Sequence, residues 1–110
     1  MDINEIFSKQ LNIQKLLNSD IITTKDRNTT YREHCLHTIE EIIEGLREIN
    51  HKPWKQSIDI DNIDNLKDEI IDEFRFLINR CLLMDMNGVE FSNRFNKSLL
   101  KTQKRIASNY

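Results

Sequence analysis

An all-α fold resembling a four-helix bundle is what this sequence predicts, on three observations. Only two Gly and one Pro interrupt 110 residues. Apolar residues recur at alternating three- and four-residue steps, and the β-branched residues are mostly Ile set inside those helix-period patterns. A chain of this length supports one hydrophobic core, so residues 1–110 are read as a single domain. With 38% hydrophobic and 31% charged residues and a net charge of −2, it is too apolar and too nearly neutral to stay disordered.

The first helix is expected from about Ile3 to Asn18, with Ile6, Phe7, Leu11, Ile13, Leu16 and Leu17 as its apolar positions. A polar link rich in Thr, Asp and Asn follows. Thr29 or Thr30 can cap a second helix over Tyr31–Asn50, whose stripe is Tyr31, Cys35, Ile39, Ile42, Leu46 and Ile49. It must end before Pro53, which restricts Lys52 and cannot extend the hydrogen-bond ladder. Gln56 to Asp61 alternates Ile and Asp, and with no partner strand in the chain it reads as irregular. Asp61 or Asn62 caps a third helix with the stripe Ile63, Leu66, Ile70, Phe74, Leu77, Cys81 and Met84. Asn87-Gly88 stops it. A fourth helix spans about Val89 to Ser108 through Val89, Phe91, Phe95, Leu99, Leu100 and Ile106. Four helices with short links suggest a bundle.

Net charge gives no reason to expect a polyanion such as DNA as a direct partner. No apolar run is long enough to span a bilayer, and the polar N-terminus is no signal peptide, so a cytoplasmic protein is expected. Cys35 and Cys81 match no zinc spacing and fall on apolar stripes, which reads as two buried thiols in a reducing compartment.

Two segments rhyme. Glu41-Ile42-Ile43-Glu44-Gly45-Leu46-Arg47 recurs as Glu69-Ile70-Ile71-Asp72-Glu73-Phe74-Arg75. Taking Ile42 and Ile70 as stripe centres, Glu41 and Glu69 each lie about −100° away, and Glu44 and Asp72 each about −160°. The offsets are equal. Carboxylates so placed face water, pair with Lys or Arg, or bind a metal, because burying them unpaired costs several kcal/mol apiece. If they converge, an all-oxygen donor set suits Mg²⁺, with Mn²⁺ as the variant, whereas zinc or di-iron sites want His or Cys. His34 and His37 lie towards the acidic side of the second helix, as ligands, as polar partners of Glu41, or in solvent.

The ordered set Glu41-x-x-Glu44, Lys52-Pro53-Trp54-Lys55 and Glu69-Ile70-Ile71-Asp72-Glu73-Phe74-Arg75-Phe76 resembles the core of the all-α nucleoside triphosphate pyrophosphatases, MazG-like in the wider sense. Within that superfamily it is most similar to the dimeric dUTPases and the dCTP/dUTP pyrophosphatases of tailed phages. Ile13-Gln14-Lys15-Leu16-Leu17-Asn18 is similar to the first-helix motif of these enzymes, and Asn96-Lys97 through Lys101, Lys104 and Arg105 to Tyr110 resembles their closing motif. There are departures. His51 stands where the turn motif has its first Trp, and Arg75 where these dUTPases have a His near the base; Ser98 and Lys101 replace Asn residues, and Asn109 precedes Tyr110 in place of Gly. These bear on base preference and leave the acidic set intact.

The resemblance implies a Mg²⁺-dependent hydrolysis of a deoxynucleoside triphosphate, dUTP or dCTP, to the monophosphate and pyrophosphate. Glu41, Glu44, Glu69 and Asp72 would be the metal ligands, with Glu44 also the general base. Lys52, Lys55, Lys97, Lys101, Lys104 and Arg105 are candidates for the outer phosphates, although the tail cations also complement a helix C-terminus. Trp54 either stacks on the base or anchors the turn. Gln14 and Asn18, one turn apart, could read a pyrimidine edge, Phe76 could wall the pocket, and Arg75 and Tyr110 complete the set. Apolar residues outside the stripes, such as Ile71, Ile78 and Leu82, predict a homodimer through the second and third helices, with a tetramer as the larger form. The competing expectation is a non-catalytic helical module whose acidic faces bind a basic partner.

Overall fold

A computed structural model describes residues 1–47, 49 and 63–108. Among these the chain is all-α, with no strand: α1 (Ile3–Leu17), α2 (Asp20–Thr23), α3 (Arg27–Leu46), α4 (Ile63–Leu83) and α5 (Gly88–Ala107). The expected caps at Asp61 or Asn62, the Gln56–Asp61 loop, and Lys52, Pro53, Trp54, Lys55 and Tyr110 lie outside the described residues.

Local chemistry explains the boundaries. Asp2 caps α1 by accepting from the Glu5 N–H at 2.8 Å. At the other end Asn18 takes the left-handed conformation (φ 48°), its N–H reaching the Lys15 carbonyl while the Ser19 N–H reaches that of Gln14. That is a Schellman closure, and Asn is one of the few residues that bears it cheaply. The polar link after α1, for which no helix was expected, carries α2, so the described residues hold five helices where four were expected. α3 starts a turn earlier than predicted because Asp26, not Thr29 or Thr30, is its cap, accepting from both the N–H and the hydroxyl of Thr29. It also ends earlier, at Leu46.

α4 stops at Leu83, ahead of Asn87-Gly88. Asp85 supplies the left-handed residue (φ 58°), and the Met86 N–H closes on the Cys81 carbonyl at 2.9 Å. Asn87 is instead the cap of α5, accepting from the Glu90 N–H at 2.9 Å. Gly88 is needed for a different reason than stopping a helix: a Cβ there would lie 2.5 Å from the Asn4 Cα, so only glycine lets α5 start against α1.

The core sits where α1, α4 and the first turn of α5 meet. Phe7 (2% exposed), Ile78 (1%) and Cys81 form its centre, with Ile3, Ile6, Phe74, Leu77, Leu82, Met86 and Phe91 around them. The rings of Phe7 and Phe91 stand 5.1 Å apart. Ile78, expected outside the stripe of its helix, is the most buried large side chain. Burial raises the Cys81 thiol above the usual range, while Cys35 is only half-buried.

The largest departure concerns α3. Its expected inward stripe points out, with Tyr31, Ile39 (51% exposed), Ile42 and Leu46 all exposed, and the face turned to α4 is Thr30, His34, Thr38, Glu41 and Gly45. The outer positions of α4 and α5 behave alike: Ile63, Ile70, Met84, Val89, Phe95, Leu99, Leu100 and Ile106 are exposed. The radius of gyration is 17.4 Å, against about 13 Å for a compact chain of this length. α5 leaves the core after Phe91 and is not the fourth wall of a bundle.

Candidate metal centre

The seam between α3 and α4 carries a run of polar groups. Arg80 donates to the Thr38 hydroxyl, which donates on to the His34 carbonyl at 2.9 Å. The His34 ring is buried, with Nε2 3.0 Å from Asp20 Oδ1 on α2 and Nδ1 enclosed without a partner. Further along, Gly45 is buried against α4, where an added Cβ would meet Leu66 Cδ1 at 3.4 Å in ordinary van der Waals contact.

Into this seam the rhyming motifs bring three carboxylates. Glu41, Glu69 and Asp72 each offer an oxygen, and these oxygens lie within 4.8 Å of one another. The cost of that proximity is visible. Glu41 is pushed up to about 7, first by its hydrogen bond to Glu69, then by burial and by the charges of Glu44, Glu69 and Asp72. Glu69 keeps one oxygen, Oε2, buried with no hydrogen-bond partner. Such an orphan is costly unless something else satisfies it. Oxygens bound to one octahedral Mg²⁺ stand about 3–4 Å apart, so the three residues fit a hard cation with small adjustments. Glu44 is exposed and is not one of the three; its charge nevertheless bears on Glu41.

Glu41 and Asp72 also line an open cavity of about 330 Å³, together with Gln10, Gln14, His34, Arg75, Phe76 and Asn79. Gln10 is fixed between two partners: its Nε2 donates to Asn79 Oδ1 at 2.9 Å, and its Oε1 accepts from Arg75 Nε at 3.0 Å. Gln14 accepts from the Ser19 hydroxyl at 2.6 Å. His37 stacks on Phe76 with centroids 5.7 Å apart. The cavity is therefore acidic at one end and amide-lined at the other.

Of the residues singled out from the sequence, Gln14, Glu41, Asp72, Arg75 and Phe76 line this cavity, and Glu69 completes the acidic group. Asn18 does not; it closes α1. Lys97, Lys101, Lys104 and Arg105 stand exposed on α5, and none lines the cavity. Gln10 and Asn79 were missed. Their signal was helical spacing: Gln10 precedes Gln14 by four residues, and Asn79 continues the face of Asp72 and Phe76. No family model, curated protein or solved structure matches this chain.

Proposed function

We propose that this chain hydrolyses a deoxynucleoside triphosphate, dUTP or dCTP, to the monophosphate and pyrophosphate with Mg²⁺ or Mn²⁺ as cofactor. The observation that carries the reading is the pairing of three convergent carboxylates with an amide- and aromatic-lined cavity of nucleoside size. The choice of a pyrimidine rests on the family resemblance of the motifs.

Glu41, Glu69 and Asp72 would hold the cation. When bound, it supplies charge neutralisation for the phosphates and lowers the pKa of water at neutral pH. The chain's own residues do the rest. Glu44, beside the acidic group and open to solvent, accepts the proton of the water that attacks the α-phosphorus, and the bond to the bridging oxygen breaks as pyrophosphate leaves. Gln10, Gln14 and Asn79 present amide donors and acceptors to a base edge, Phe76 and its stacked His37 give it an apolar wall, and Arg75 adds a cation at the rim. The exposed apolar side of α3 and α4, with Ile39, Ile42, Ile70 and Ile71, is covered by a second copy in a homodimer, which can pair again into a tetramer. No helix among the described residues is long and apolar enough to cross a membrane.

The test is a panel of nucleoside triphosphates with Mg²⁺, scored for pyrophosphate. Expected is release from dUTP or dCTP that falls at least about a hundredfold in Glu69→Ala. Orthophosphate as first product, activity that survives Glu69→Ala, or no turnover of any triphosphate overturns the reading in favour of a non-catalytic helical module.

A further inference from the structure

The net charge of −2 conceals a segregation. α5 carries Arg94, Lys97, Lys101, Lys104 and Arg105 against the single acid Glu90, so this helix stands at +4 and the remainder of the chain at −6. At about 100° per residue the five cations fall within an arc of about 100°, and Val89, Phe91, Phe95, Leu99, Leu100 and Ile106 fall in an arc of about 180° centred opposite it. Basic and apolar faces are therefore nearly opposite. Only Arg94 is tied down, its Nε 2.7 Å from Glu90; among the described residues no carboxylate pairs with Lys97, Lys101, Lys104 or Arg105. All four are exposed, on turns of α5 beyond the core.

We infer that the basic face of α5 is a sequence-independent docking surface for the phosphate backbone of double-stranded DNA. Charge and spacing both fit. From Arg94 to Arg105 the helix rises about 16 Å, over which one strand of a duplex presents about five phosphates. A bilayer fits worse. A bilayer would have to take up the apolar face of α5, whose first turn is already packed against the core through Phe91, whereas a duplex needs only the basic face. None of these cations lines the acidic cavity, so this surface stands or falls independently of the pyrophosphatase reading.

The experiment is fluorescence anisotropy of a short labelled DNA duplex against the full chain over a salt series, with circular dichroism of each variant to verify folding. Four free cations predict a log–log salt slope of about −3.6, so affinity falls roughly a hundredfold between about 50 and 200 mM salt. The triple variant Lys97→Gln, Lys101→Gln, Lys104→Gln keeps helix-forming side chains and should reduce the slope to about −1. The control triple Lys15→Gln, Lys25→Gln, Lys67→Gln, which removes the same charge elsewhere, should leave it unchanged. No binding at low salt, equal loss in both triples, or binding to phosphatidylserine vesicles in place of the duplex overturns the inference.

Discussion

α4 is packed on two sides, and the two sides bury opposite kinds of group. Against α1 and the start of α5 it buries Phe7, Ile78 and Cys81 among other apolar side chains. Against α3 it meets His34, Thr38 and Glu41, a run of hydrogen-bonding and ionisable groups, while the isoleucines of α3 face outward. The apolar side stabilises by removing surface from water, and its worth grows with area. The polar side holds groups that cost free energy to bury and exist in the fold only because partners, a shared proton or a ligand satisfy them. Apolar burial and the acidic group are thus carried by opposite faces of one helix.

The largest expected effect breaks the apolar side. Ile78→Ala removes the most enclosed side chain of the chain and should cost about 2–5 kcal/mol, a large share of the roughly 5–15 kcal/mol typical of a domain. Urea unfolding measures it. Thr38→Ala, on the polar side, forfeits hydrogen bonds to Arg80 and the His34 carbonyl and should cost about 0.5–2 kcal/mol. Equal losses at the two positions would show that the two faces share the load.

A middle-sized effect is written in the pH dependence. Glu41 titrates near 4.5 when free and at about 7 in the fold, so between those values the folded state holds a proton that the unfolded chain has lost. Stability from this group is fully present below about 4.5 and is lost as pH rises through about 7. Thermal melts should therefore fall from pH 5 to pH 8, and Glu69→Gln, which removes the carboxylate whose hydrogen bond contributes most to the shift, should flatten the decline. Mg²⁺ should raise the melting temperature more at pH 8 than at pH 5, because a cation takes the place the proton has left. A profile that is flat in the parent chain would sink the claim that these carboxylates crowd one another.

Much of this was legible in the residues. Helix-period spacing located four helices to within a few residues, and the rhyming motifs marked four carboxylates, of which Glu41, Glu69 and Asp72 meet and Glu44 does not. The face of α3 was misread because periodicity reveals that a stripe exists, not which stripe a single chain turns inward. Tyr31, Ile39, Ile42 and Leu46 make the stronger apolar pattern, yet Glu41 and His34 face α4. Ile78 was passed over for a related reason: α4 is apolar on more than one side, and only the arrival of α1 decides which side is core. Gln10 and Asn79 were invisible as a pair because their hydrogen bond joins residues 69 positions apart. The short helix α2 depends on Ser19 and Asp20 reaching Gln14 and His34, contacts that local propensity does not contain.

The smallest effect sharpens the contrast at its far end. Leu99 lies on α5 beyond the core and is 49% exposed, so within a single chain Leu99→Ser gives up little burial and should cost less than about 0.5 kcal/mol. Its size at low protein concentration is fixed by this chain alone. If the cost instead rises above about 1 kcal/mol as the concentration is raised, the apolar stripe of α5 is buried by a second copy, because only association makes stability depend on concentration. Dilution series of chemical unfolding for the parent and Leu99→Ser separate the two cases. The same series with Ile42→Ser asks the question of α3, the helix through which the proposed homodimer forms, and should show the steeper concentration dependence. Should neither variant respond to concentration, the homodimer through α3 and α4 is ruled out and the polar seam must hold its carboxylates together without a partner copy.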